Sequence, residues 1–126
     1  MTRYPDEGSH AMTEWVYKIA RKPEWDEVDK SGSFTGSVDD KRDGFIHLSA
    51  AHQVRATCDK YFAGENNLLL VALDAKRLDP SLKWEESRGG EKFPHLYGAL
   101  PIALVHCVVP IRREDNGRPI FPPEIP

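Results

Sequence analysis

The sequence predicts a single α+β domain on a bent mixed β-sheet with few helices. Three observations carry that expectation. Segments rich in β-branched and aromatic residues alternate with only two helical patterns, and then the chain turns mostly to strands. No linker or internal repeat divides the 126 residues, which are about one domain's length. Neither a GxGxxG nor a Walker loop is present, and a doubly wound sheet would need a helix after nearly every strand.

The elements follow in order. Residues 1–11 include Gly8-Ser9-His10-Ala11, which reads as a cloning scar or a disordered arm, so the fold is sought in residues 12–126. Glu14-Trp15-Val16-Tyr17-Lys18-Ile19-Ala20 is a first strand, with Trp15, Tyr17 and Ile19 on one face. Pro23 opens a short helix over 23–29. The Gly/Ser-rich stretch 30–37 is a loop, and the charged run 38–44 continues it. Gly44-Phe45-Ile46-His47-Leu48-Ser49 is a second strand, and Ser49 a plausible N-cap. Val54, Cys58, Tyr61 and Phe62 then recur at helical spacing, which predicts an amphipathic helix over 50–63. Residues 68–74 are an apolar run of buried-strand length, 82–85 alternate as a strand, and 103–109 form a last apolar strand. The proline-rich end, 119–126, suits the surface. The expected core includes Val54, Tyr61, Phe62, Ile46, Leu48, Leu69, Val71 and Val105.

Composition narrows the function classes. Seventeen Lys and Arg against twenty Asp and Glu leave a net charge of −3, which disfavours broad binding to phosphate backbones. The longest apolar run, 68–73, is far short of a membrane span, and no secretory leader is visible. A cytoplasmic domain is the expectation. Cys58 and Cys107 lack CxxC spacing and read as buried, reduced, inert thiols. No metal site is expected, because the histidines and cysteines form no short ligand pair. The oligomeric state is not encoded in any of these features.

Three groups carry candidate chemistry. His47 lies on the face opposite Ile46 and Leu48, near a helix N-terminus that attracts anions. Its plain alternative is a half-buried imidazole satisfied by a carbonyl. Phe93-Pro94-His95-Leu96-Tyr97-Gly98 follows a Gly-rich loop and mixes apolar walls with the polar tips of His95 and Tyr97, as a concave site requires. A structural corner is the alternative. Glu85 follows Trp84 on a strand and either enters a cleft or is solvated. Lys18, by pattern alone, is a solvated edge residue.

The strings Trp15-Val16-Tyr17-Lys18-Ile19, Gly44-Phe45-Ile46-His47-Leu48-Ser49 with Gln53, Trp84-Glu85 and Phe93-Pro94-His95-Leu96-Tyr97-Gly98 closely resemble the bacterial domain of unknown function 952. More distantly, His47-Leu48-Ser49, the helix, the strand ending at Asp74 and Trp84-Glu85 resemble the RNA 2′-phosphotransferase and ADP-ribosyltransferase superfamily. That resemblance implies a split, bent sheet holding NAD as a substrate in a central cleft. It implies His47 on a ribose and Glu85 as the carboxylate that stabilises the ribosyl transition state. An expected site follows: His47 and Glu85 catalytic, with His47, Ser49, His95, Tyr97, Tyr17 and Lys18 around a small nucleotide-like ligand. The position often Arg in the phosphotransferases is Tyr17 or Lys18 here, so their phosphate clamp does not carry over. A non-catalytic ligand-binding or protein-interaction module on the same fold is the alternative.

Overall fold

The computed structural model describes residues 13–122. The expected tag or arm at 1–11 lies outside them, as does the end of the proline-rich tail.

Strand β1 (Trp15–Arg21) leads into two one-turn helices, α1 (Lys22–Trp25) and α2 (Val28–Ser31), where a single helix over 23–29 is the sequence expectation. After β2 (Ser33–Phe34), helix α3 (Val38–Asp43) occupies the charged run expected to be a loop. The second strand is two pieces, β3 (Ile46–His47) and β4 (Ser49–Ala50). A 3-10 turn (Ala51–Gln53) enters α4 (Val54–Tyr61). Then come β5 (Leu68–Asp74), β6 (Leu82–Glu86), β7 (Lys92–Leu96), β8 (Leu100–Pro101), β9 (Val105–Arg113) and β10 (Pro119–Ile120).

The strands form a five-stranded sheet in the order β10-β9-β5-β1-β4, a three-stranded sheet β3-β7-β6, and the pair β2-β8. Every pairing among the described residues is antiparallel, so the expected mixed sheet is corrected. Parallel neighbours need a crossover that returns the chain in the same sense. Here α4 packs near β1 but delivers the chain into β5 running against it.

β1 and β5 are buried on both faces, as their unbroken apolar runs require. Val16, Ala20, Val71 and Leu73 join Ile46, Leu48, Leu96 and Leu100 in one cluster. Tyr17, Ile19, Leu68 and Leu70 join Val54 and Cys58 of α4 in the other. Each fully buried aliphatic here contributes about 1.5–3 kcal/mol by leaving water. Of the expected core, Val54, Ile46, Leu48 and Val71 are buried, while Leu69, Phe62 and Val105 are half-buried against it. Tyr61 is not core: it is 51% exposed at the end of α4. Cys58 is buried as expected, but Cys107 is exposed, and so is His106. β10 pairs with β9 only at Arg112 and Arg113, and 106–108 lie on a stretch of β9 with one strand neighbour.

The break between β3 and β4 shapes the molecule. Ile46 and His47 pair with Leu96 and His95 of β7, whereas Ser49 and Ala50 pair with Tyr17 and Val16 of β1. Leu48 sits between, its N–H donating to the Pro94 carbonyl at 3.0 Å. One strand thus passes from the small sheet to the large one. β1 pairs with it only at Val16 and Tyr17, and beyond Tyr17 a crevice opens between β1 and β3.

Candidate ligand cleft

That crevice holds a solvent-open cleft of about 120 Å³. Its rear wall is Tyr17, Lys18 and Ile19 of β1. Its sides are His47 to Ser49, Phe93 and His95 of the split region, and Thr57, Tyr61 and Phe62 from α4. Arg21, Glu24, Ser37, Asp39, Asp40 and Ser87 complete the lining.

The polar wall is organised by Asp40, which the sequence reading overlooked. Ser37 and Asp40 form a reciprocal capping box on α3: Ser37 Oγ accepts from Asp40 N at 3.1 Å, and Asp40 Oδ2 accepts from Ser37 N at 2.9 Å. The signal was legible as Ser37-Val38-Asp39-Asp40, closed by Gly44 in the left-handed conformation at φ 89°. The carboxylate then reaches inward. Lys18 Nζ donates to Asp40 Oδ1 at 3.0 Å and lies 2.8 Å from Oδ2, and it also donates to the His47 carbonyl at 3.1 Å. The His47 N–H donates to Asp40 Oδ1 at 3.1 Å. Burial works against the ionised carboxyl, but the His47 hydrogen bond and the Lys18 charge outweigh it and hold Asp40 well below the usual carboxylate range. Burial dominates for Lys18 and pulls its ammonium below the ordinary lysine value despite Asp40. Lys18 is therefore a buried ion-pair member, not a solvated edge residue.

His47 is held between two carboxylates. Its Nδ1 is 2.6 Å from Asp40 Oδ1, and its Nε2 is 2.9 Å from Asp43 Oδ2. Carboxylate oxygens thus lie within 3 Å of both ring nitrogens. Ser49 is not a helix N-cap, because β4 continues through Ala50. Its hydroxyl pairs with Thr57 Oγ1 at 3.1 Å.

His95 is arranged differently. β-Sheet register places it opposite His47, and the two rings meet edge to face at 5.8 Å. Phe45 stacks on His95 at 4.0 Å between centroids. Glu85 Oε1 lies 2.8 Å from His95 Nδ1 and accepts a second bond from Tyr97 OH at 2.8 Å. Those bonds, His95's first, hold Glu85 below the usual carboxylate range, and Glu85 raises Tyr97. Glu85 and Tyr97 are not among the cleft-lining residues: they stand behind His95. The structure thus gathers His47, Ser49, His95, Tyr17 and Lys18 at the cleft and sets Glu85 and Tyr97 one layer back.

Both cations of the cleft are already paired. Arg21 makes a bidentate contact with Glu65, at 2.8 and 2.9 Å. Glu24 Oε1 is buried with no hydrogen bond among the described residues and faces Arg21 Nη1 at 3.7 Å. No group of three or more His, Cys, Asp or Glu among the described residues is arranged to hold a metal. No helix there is long and apolar enough to cross a membrane.

The family described as "Protein of unknown function (DUF952)" matches residues 19–108, which include β1 from Ile19, the split strand, α4 and β7. The chain belongs to the DUF952 family. Among solved structures, this DUF952 protein is similar to the crystal structure of protein CC0527 from Caulobacter crescentus, with 44% identity and a TM-score of 0.80 over 84% of this chain and 93% of that one. The solution NMR structure of CC0527 gives 45% identity and a TM-score of 0.75 over 83% and 90% of the two chains. None of the curated proteins matches this DUF952 chain.

Proposed function

We propose that the cleft binds a small nucleotide-like ligand, gripping its base and sugar rather than its phosphates. The observation that carries this reading is the composition of the walls. Tyr61, Phe62 and Phe93 bring aromatic side chains to the lining, with the Arg21 guanidinium over the Phe62 ring at 4.8 Å, a setting that suits a base. Ser49, Thr57, Ser87 and His95 supply polar groups suited to sugar hydroxyls. Lys18 and Arg21 are each committed to a carboxylate, so a diphosphate would have to break an existing pair to use them. NAD and ADP-ribose are the ligands that the superfamily resemblance brings forward, with their phosphates directed to the opening.

ADP-ribosyl transfer is the second reading, and the Glu85–His95 contact favours it. A ribosyl cation is stabilised by a carboxylate that faces it. Glu85 stands behind His95, so in this reading it acts through the imidazole.

Calorimetric titration with NAD, ADP-ribose, adenosine and inorganic pyrophosphate tests the ligand class. The first three are expected to bind, and pyrophosphate is expected neither to bind nor to compete. Absence of binding by NAD, ADP-ribose and adenosine at millimolar concentration overturns the reading, and strong pyrophosphate competition overturns its sugar-and-base form.

A further inference from the structure

We propose that His95 Nε2 is the acceptor that selects the ligand of this cleft, and that the ligand is an uncharged, ring-sized heterocycle presenting an N–H donor to it. This rests on the cleft being a ligand site and narrows the ligand to what the imidazole can accept.

The orientation of the imidazole comes first. An ionised carboxylate only accepts hydrogen bonds. Glu85 Oε1, 2.8 Å from His95 Nδ1, therefore fixes the neutral ring as the Nδ1–H tautomer and leaves Nε2 with its lone pair. Tyr97 OH donates to the same carboxylate oxygen at 2.8 Å, and Phe45 stacks on the imidazole at 4.0 Å between centroids. Both contacts hold the pair in this arrangement. The Nε2 lone pair is unspent: the His95 side chain is 6% exposed yet lines the cleft, and no described residue hydrogen-bonds that nitrogen. A ligand that displaces water from it must supply a donor or leave a buried acceptor unsatisfied. His47 offers no such atom, since carboxylates face both of its nitrogens.

Charge and size narrow the ligand further. The ionic groups of the cleft are already engaged: Lys18 with Asp40, Arg21 with Glu65, Asp39 with Arg42, and Glu24 with the Val38 N–H. An ion of either sign would have to break one of these contacts, which favours an uncharged ligand. The volume of about 120 Å³ is room for one ring, as a cavity of about 150 Å³ holds benzene. Phe93 lines the cleft two residues before His95 on the same face of β7, so an aromatic wall stands beside the acceptor. A heterocycle with an N–H in its plane matches that combination of apolar wall and lone pair.

Two measurements test this. The first needs no ligand: long-range proton–nitrogen NMR of the ¹⁵N-labelled protein at about pH 8, above the ordinary histidine pKa of about 6.5. Wild type is expected to show His95 as the Nδ1–H tautomer, and Glu85→Ala to shift it towards Nε2–H. An Nε2–H tautomer in wild type overturns the proposal, because that nitrogen would then be a donor.

The second titrates one-ring probes and reads amide shifts. Uracil is expected to bind saturably, and 1,3-dimethyluracil, which lacks both N–H groups, to bind about tenfold or more weakly. Orotate, the same ring carrying a carboxylate, is expected to be weaker than uracil by a similar factor. His95→Phe keeps a ring but removes the acceptor, and is expected to bind uracil and dimethyluracil alike. Equal binding of those two by wild type, or a preference that survives in His95→Phe, overturns the donor requirement and leaves the ligand site standing. Orotate binding as tightly as uracil overturns the uncharged class. Absence of uracil binding at millimolar concentration overturns the proposal, and only the added failure of NAD, ADP-ribose and adenosine overturns the ligand site with it.

Discussion

Lys18 Nζ and the Asp40 carboxylate form a buried ion pair, 2.8 Å apart, between residues 22 positions apart in the chain. Lys18 is 5% exposed and Asp40 2%. Through the His47 carbonyl and N–H, the pair joins β1, α3 and β3 beside the sheet split. Such a pair is a weak source of net stability, but removing one partner strands a charge. Asp40→Asn and Lys18→Met are each expected to cost about 3–5 kcal/mol, and the double variant less than the sum. Urea denaturation measures all three. Strict additivity would show that the two groups are not coupled.

Asp40 also sets the acid response. Its folded pKa lies below its unfolded value, so the stability it contributes is fully present above the unfolded carboxylate pKa of about 3.9. That stability is lost as pH falls through the window below. Thermal melts are expected to show Tm falling from about pH 4 downward, with a shallower fall in Asp40→Asn. Parallel profiles for the two proteins would assign the acid loss to other carboxylates.

Gly36 packs against the same carboxylate. Its φ is +118°, and a Cβ there would sit 2.8 Å from Asp40 Cβ. Gly64 is also left-handed, at φ +75°, but a Cβ there meets open space. Gly64→Ala is expected to cost about 1–2 kcal/mol, the backbone penalty alone. Gly36→Ala is expected to cost more, through both strain and displacement of Asp40. Denaturation curves that rank them the other way would mean that α3 yields freely.

The fold was legible where pattern is local. The buried runs of β1 and β5 and the amphipathic stretch of α4 announce themselves by periodicity. The organisation of the cleft was not. Lys18 reads as a surface residue because its partner lies 22 positions away and beyond the reach of any local pattern. Asp40 reads as one charge in a solvated run because the run's composition masks the capping box. Tyr61 shares a helical stripe with Val54 and Cys58, yet it falls at the helix end, where the core gives way to the cleft. Glu85, His95 and Tyr97 are joined by hydrogen bonds, but alternation along a strand does not tell a cleft-lining group from one that braces it.

The two cysteines offer a clean contrast. Burial raises the Cys58 thiol above its ordinary value and shields it, whereas Cys107 lies exposed on β9. A thiol reagent is expected to label Cys107 in the folded protein and Cys58 only after unfolding. Rapid labelling of both without denaturant would contradict the packing of α4 on the sheet.

The claim that the sheet split is a ligand site is tested most directly by NMR titration of the ¹⁵N-labelled protein with ADP-ribose. The account predicts saturable shift changes confined to the cleft, at Ser49, Thr57, Phe62, Ser87 and His95, with little change along β9. Absence of shifts at millimolar ligand, or shifts confined to β9 and β10, would contradict it.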